Sequence, residues 1–335
     1  MRSLQVVGAE QVEIIEIDRP RCGPYEVLIH MKACAICNQH DAAVFAGHPH
    51  GGERQYPLEP GFPGHEGAGE VVEVGERVTD LAVGDHVCTT GIGGPPLYSE
   101  YVTRQAGTAV RIRPEIEFIH AAPLELFGCV HRAFTLTDPV AGRRVGVVGL
   151  GPAGQAAVAL ARAYGAAEVV GFDLAAARRE KAREMGATET VDASVFLEAH
   201  EAVKARIAGD ETPTDPHRAA LEAVRANACE VVFECSGNAA STQNSFLLAG
   251  RELTIFGYVR DVVEALPCLW FQKELVIRNS KILDLSDLRA VAGLLDEGRI
   301  DTRPIVTGVM NFTEYRDAIE RIARREAIKI ALKWD

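Results

Sequence analysis

Short runs of β-branched and aliphatic residues recur through the first third of the chain. Val12, Ile14, Ile15 and Ile17 form one run, Val27, Leu28, Ile29 and Met31 a second, and Val71, Val72 and Val74 a third, with Gly, Pro and Asp clustered between them. This pattern predicts β structure over roughly the first 125 residues. Residues 45–63 are dense in Gly, Pro and His, His48 and His50 among them, and read as a long loop of the kind that often carries function. The pattern changes near residue 140. Arg144-Val145-Gly146-Val147-Val148 suits a buried parallel strand, and Gly149-Leu150-Gly151-Pro152-Ala153-Gly154 follows it. An alanine-rich helix over 155–164 comes next, then a strand over 168–172 ending at Asp173, then a helix through Met185. Strand, helix, strand, helix predicts a parallel sheet covered on both faces. Later strands are expected at 229–233, 252–256 and 275–278. A polar helical segment lies between 192 and 227, interrupted at 209–216, and receives no function. A helix over 312–322 and a strand over 327–332 close the chain and are expected to pack back on one of the two domains.

Length and composition narrow the possibilities. A chain of 335 residues suits two domains, and 47% hydrophobic with 24% charged residues is the balance of a globular protein. No apolar run approaches the ~20 residues needed to span a bilayer, and the first residues lack a secretory pattern, so a cytoplasmic location is expected. A formal net charge of −12 argues against nucleic acid as the main partner, because phosphate binding needs a basic surface. The 8 cysteines are dispersed, which disfavours a disulfide framework. Cys34 and Cys37 form the only CxxC pair, so a four-cysteine zinc knuckle is excluded.

Gly149, Gly151 and Gly154 follow a predicted strand and open a predicted helix, and Asp173 ends the next strand. Glycines in that context permit a tight turn and let backbone N–H groups approach a pyrophosphate at a helix N-terminus. Pro152 and Ala153 complete the turn. Asp173 can accept hydrogen bonds from an adenosine ribose and would repel a 2′-phosphate, which favours NAD over NADP. Arg178, a little over one helical turn further on, partly offsets that repulsion. A tight turn in which Asp173 merely caps a helix is the alternative.

About 125 residues precede this turn, and their motifs carry a resemblance. Cys34-Ala35-Ile36-Cys37-Asn38-Gln39-His40-Asp41, Gly64-His65-Glu66-Gly67-Ala68-Gly69, Gly84-Asp85-His86-Val87 and Val232-Phe233-Glu234-Cys235-Ser236-Gly237 together resemble the zinc-containing medium-chain dehydrogenase/reductase family, which includes alcohol, sorbitol and threonine dehydrogenases. The resemblance implies an α/β chain. A GroES-like β-rich catalytic domain (1–127 and 278–335, the C-terminal segment returning to it) would join a Rossmann doubly wound domain (128–277). It implies one catalytic zinc in the cleft between domains, held by Cys37, His65 and Glu125, with Cys129 one helical turn away as the alternative third ligand. Glu66 would stand beside the metal or ligate it transiently. Ser236, Gly257 and Asn279 would join Gly149–Gly154, Asp173 and Arg178 around NAD. The implied activity is hydride transfer between a secondary alcohol or polyol-like substrate and NAD, in a homodimer or homotetramer.

The chain also departs from that family's pattern. Four residues, Asn38 to Asp41, stand where three are expected after the metal cysteine. Asp41 is then the acid that orients a histidine ligand. His40 takes the place of the hydroxyl residue in the proton relay, unless Gln39 occupies it. The stretch from Cys88 to Arg111 has no cysteine besides Cys88, so the structural-zinc lobe of many relatives is missing and one zinc per chain is expected. The missing lobe and a glutamate ligand lean towards polyols. Two rival readings are a zinc-free NADPH-dependent quinone or enone reductase of the same superfamily and a nucleotide-binding protein without turnover.

Overall fold

The computed structural model describes residues 1–48, 55–209 and 214–334. The chain divides into two compact units, one of Met1–Gly128 with Asp284–Asp335 and the other of Cys129–Leu283.

The first unit is built on a seven-stranded sheet. Its order is Val306–Asn311, Lys329–Lys333, Glu26–Ala35, Glu66–Val74, His86–Thr90 and Ala109–Arg111, with Tyr101–Gln105 also pairing to Glu26–Ala35. Glu26–Ala35 has neighbours on both sides, and seven of its ten residues are buried rather than alternating. Arg2–Gly8 and Gln11–Glu16 form a separate antiparallel hairpin. Ile29, Met31, Val71, Val87, Tyr98, Phe312, Tyr315 and Leu332 belong to one hydrophobic core. The expected C-terminal strand is Lys329–Lys333, and its antiparallel pairing to Ala33, Cys34 and Ala35 binds the chain's end into the N-terminal sheet. The helix expected over 312–322 begins with a 3-10 turn, Phe312–Glu314, and continues as Tyr315–Ala323.

The second unit carries a six-stranded sheet in the order Glu189–Asp192, Glu168–Asp173, Arg144–Val148, Cys229–Glu234, Ala249–Ile255 and Val276–Asn279. Every pairing in it is parallel. The strand order reverses direction between Arg144–Val148 and Cys229–Glu234, so this is a doubly wound sheet. The helix after the glycine turn is Pro152–Ala163, with Pro at its first position and extended Gly151 as N-cap. The segment after 192 is an elaboration of two helices, Ala199–Ile207 and Asp215–Ala226, the second capped by the Thr214 hydroxyl. Residues 210–213 between them lie outside the described residues. The strand Glu189–Asp192 was not expected, because a four-residue strand with an acid at each end has no hydrophobic alternation to read.

Among the described residues, no helix is long and apolar enough to cross a membrane.

Candidate metal centre and dinucleotide turn

The short helix His40–Phe45 starts three residues after Cys37, and this sets the first part of the site. Asp41, fully buried in its first turn, turns back so that Oδ2 accepts the Cys37 amide at 3.0 Å. The same oxygen accepts the buried Tyr98 hydroxyl. Asp41 Oδ1 stands 3.6 Å from Nδ1 of His40 and 3.6 Å from Nδ1 of His65. The two imidazoles meet edge to face, with ring centroids 5.2 Å apart. His65 Nδ1 also lies 2.8 Å from the Pro63 carbonyl, the nearer acceptor for that N–H. The acid expected to orient a histidine therefore touches two of them at longer range, and a backbone carbonyl shares the task.

One ligand-type atom each of Cys37, His65 and Glu66 lies within 4.8 Å of the others. His40, Asp41 and His65 form a second such grouping. Burial alone would lower the His65 pKa. The hydrogen bond to Cys37 and the charges of Cys37, Asp41 and Glu125 outweigh it and hold the imidazole well above its ordinary value. Glu66 is 1% exposed, and its Oε1 accepts Lys329 Nζ at 2.6 Å. Burial pushes the Glu66 carboxyl up to about 7, against the opposing pull of the Lys329 charge. Burial disfavours the Lys329 ammonium, yet the charges of Glu66 and Cys37 keep it above its ordinary value. The second Glu66 oxygen, Oε2, is buried without a hydrogen-bond partner among the described residues. A thiol, an imidazole and a carboxylate with an unused oxygen form a donor set that suits a borderline-soft divalent ion such as zinc.

Glu125 stands in the first turn of Leu124–Leu136, buried, and bears electrostatically on both His65 and Glu66. It is not part of the 4.8 Å groupings, where Glu66 appears instead. Cys129 follows on the same helix and is buried. Cys34 donates to the Leu97 carbonyl at 3.4 Å, and burial pushes its thiol up, as befits a small core residue. Burial likewise pushes the Cys88 thiol up, to about 12. His48 is exposed, and His50 lies outside the described residues. Sequence reasoning missed Tyr98 and Lys329. Nothing near either residue in the chain marks it as polar machinery.

In the second unit, Gly149 takes φ +85°, the left-handed region, and a Cβ there would come within 2.6 Å of Ser236 Cα. A Cβ on Gly154 would run into the Gly149 carbonyl oxygen. Gly151 differs, because a Cβ there meets nothing within 4 Å. Its bareness leaves open space at the helix N-terminus, as a pyrophosphate approach requires. Asp173 Oδ2 accepts the Leu150 amide at 2.8 Å and Oδ1 the Ala175 amide at 2.8 Å, while Arg178 Nη1 stands 3.7 Å from Oδ2. The carboxylate thus braces the glycine turn. Ser236 follows the buried Glu234, donating to it from both amide and hydroxyl. Gly257 donates its amide to the Glu234 carbonyl at 2.9 Å. Exposed Asn279 ends the edge strand.

Comparisons with known proteins place the chain in a family. Residues 23–114 match the alcohol dehydrogenase GroES-like domain, and residues 152–284 match the zinc-binding dehydrogenase domain. The chain is 27% identical to L-threonine 3-dehydrogenase of Bacillus licheniformis, over 93% of this chain and 92% of that protein. It is 29% identical to sorbitol dehydrogenase of Gallus gallus, over 94% and 91%. The fold of 2R,3R-butanediol dehydrogenase from Bacillus subtilis superposes with a TM-score of 0.81 at 22% identity, covering 99% of each chain. The chain belongs to the zinc-containing medium-chain dehydrogenase/reductase family. It is accordingly an oxidoreductase whose cofactors are zinc and a nicotinamide dinucleotide.

Proposed function

We propose that the chain oxidises a secondary alcohol or polyol-like substrate with NAD, using one zinc held by Cys37, His65 and Glu125. The convergence of Cys37, His65 and Glu66, with an unpartnered buried oxygen on Glu66, is the observation that carries this reading. Zinc, when bound, supplies a Lewis acid that lowers the proton affinity of the substrate oxygen. The rest is done by the chain itself. Cys37 and His65 give the thiolate and imidazole, and Asp41 holds the ring of His65. Glu125 gives the third donor, and Cys129 is the alternative. Glu66 stands beside them with its charge balanced by Lys329. His40, about 29% exposed in its side chain, has Nδ1 turned to Asp41, and the imidazole carries the hydroxyl proton towards solvent. Gly149, Gly151, Pro152, Ala153 and Gly154 receive the pyrophosphate. Asp173 and Arg178 receive the adenosine ribose, and Ser236, Gly257 and Asn279 the remainder of the dinucleotide. The Asp173 carboxylate supports NAD over NADP, although its pairing with Arg178 reduces the discrimination.

The relatives named above include threonine and sorbitol dehydrogenases, which supports a small hydroxyl-bearing substrate. Val276–Asn279 is an edge strand, and Phe271 and Val262 in the same unit are 88% and 91% exposed. An open edge and exposed apolar side chains on one unit support a homodimer or homotetramer joined through it. The location is read as cytoplasmic.

Two measurements together test the function. Metal analysis should give about one zinc per chain, and a panel of alcohols and polyols should reduce NAD with rising absorbance at the nicotinamide band. A zinc-free protein that reduces enones with NADPH would replace this reading with the quinone-reductase one. Nucleotide binding without turnover on the whole panel would replace it with a non-catalytic one.

A further inference from the structure

We propose that Tyr98 is a positioning residue for the metal centre. Its hydroxyl, together with the Cys37 amide, pins one oxygen of Asp41 so that the other faces the imidazoles of His40 and His65. The inference rests on the metal reading above and extends it to a residue that no motif marks.

The geometry separates the roles of the two carboxylate oxygens. Oδ2 accepts two hydrogen bonds, from Cys37 N at 3.0 Å and from the Tyr98 hydroxyl. Oδ1 has no hydrogen-bond partner among the described residues and stands equidistant, at 3.6 Å, from the Nδ1 atoms of His40 and His65. A carboxylate fixed at one oxygen by two donors cannot rotate about its Cβ–Cγ bond without breaking both, so the direction of Oδ1 is set by Tyr98 and Cys37. That direction bears on His65, whose Nδ1 is turned to Pro63 and Asp41 and whose ring also hydrogen-bonds to Cys37. Partners behind a ligating histidine fix which ring nitrogen faces the metal.

The hydroxyl is not needed for packing. Tyr98 is fully buried, its ring 5.2 Å from that of Tyr315 and 6.1 Å from that of Phe312, and a phenylalanine would keep both contacts. A buried hydroxyl is costly unless it is bonded. Its other acceptor, the Ala35 carbonyl, lies at 3.5 Å, and the single proton is worth more on a charged carboxylate. Tyr315 supplies an internal control. It feels the Asp41 charge, yet its hydroxyl is buried with no hydrogen-bond partner among the described residues. Of these two tyrosines, Tyr98 is the one joined to the carboxylate.

The test is zinc affinity, measured by competition with a chelator on the full chain for the native protein, Tyr98→Phe, Tyr315→Phe, Asp41→Asn and the Tyr98→Phe/Asp41→Asn double variant. Tyr98→Phe should weaken zinc roughly 10–100-fold, the usual size for a partner behind a ligand, and should shift the visible spectrum of the cobalt-substituted protein. Tyr315→Phe should leave both unchanged. The double variant should bind zinc no more weakly than Asp41→Asn, because both changes act through one carboxylate. Native affinity and spectrum in Tyr98→Phe, or losses that add in the double variant, overturn the proposal while leaving the metal reading intact. If Tyr98→Phe does not fold, Asp41→Asn decides alone, and unchanged zinc affinity there overturns it. A native chain that binds no zinc overturns the metal reading and this inference with it.

Discussion

Lys329 and Glu66 are 263 residues apart in the chain and form an ion pair of 2.6 Å with each side chain 1% exposed. Such a pair adds little net stability, because desolvating both charges consumes most of their attraction, but losing one partner is expensive. Lys329→Met leaves the buried Glu66 carboxyl without its cation, to be stranded as a charge or to take up a proton, and should cost up to about 3–5 kcal/mol in thermal or denaturant unfolding. The Glu66→Gln/Lys329→Met double variant should recover much of that loss. A single variant as stable as the native chain would show that the pair is not desolvated in solution.

Glu234 ends its strand fully buried, and burial raises its carboxyl above the ordinary value of 4.5, against hydrogen bonds from Ser236 that lower it. A raised folded value means that the native state holds this proton more tightly than the unfolded chain does. Its contribution is complete below 4.5 and is lost as pH rises through the folded value. Glu234→Gln has no proton to lose. Without nucleotide, the variant's melting temperature minus the native one should therefore grow as pH rises from below 4.5 to neutrality. A difference that is flat with pH would sink the assignment.

The glycine turn separates folding from binding. Gly154→Ala drives a methyl into the Gly149 carbonyl and should destabilise the second unit. Gly151→Ala meets nothing within 4 Å at φ −69° and should fold with a melting temperature close to the native one. It should nevertheless bind NADH at least tenfold more weakly, roughly 1.4 kcal/mol, because the methyl fills the space for the pyrophosphate. Native NADH affinity in Gly151→Ala, read by fluorescence titration, would place the dinucleotide elsewhere.

His40→Ala should lower kcat by roughly 10²-fold or more and remove one limb of its pH profile, with zinc content unchanged. His40→Gln, which can hydrogen-bond but not titrate, should behave like the alanine variant. An unaltered rate and profile would remove His40 from the proton path.

Much of the second unit could be read from local pattern. Strand Arg144–Val148, the turn through Gly154 and helix Pro152–Ala163 are contiguous, so each signal reinforces the next. The elements that escaped notice were short or lacked periodicity, such as Glu189–Asp192 and the seven-residue helix Pro267–Lys273. Cys37, His65 and Asp41 stood out as candidates because their spacing belongs to compact motifs. Glu125 was a candidate only through the resemblance, and the ligand-type atoms that gather within 4.8 Å of one another include Glu66 in its place.

By itself, the sequence determined two units, a doubly wound sheet, a cysteine and a histidine of metal-ligand type and a glycine turn, because periodicity and short-range spacing are local properties of the chain. Only the tertiary structure decided what surrounds Glu66 and Asp41. Lys329 reaches Glu66 because the last strand pairs with Glu26–Ala35, which in turn pairs with Glu66–Val74. Tyr98 reaches Asp41 from 57 residues away by a hydrogen bond inside the core. Burial turns those two contacts from ordinary surface chemistry into constraints, since a charge or hydroxyl removed from water must find its partner wherever the fold supplies one.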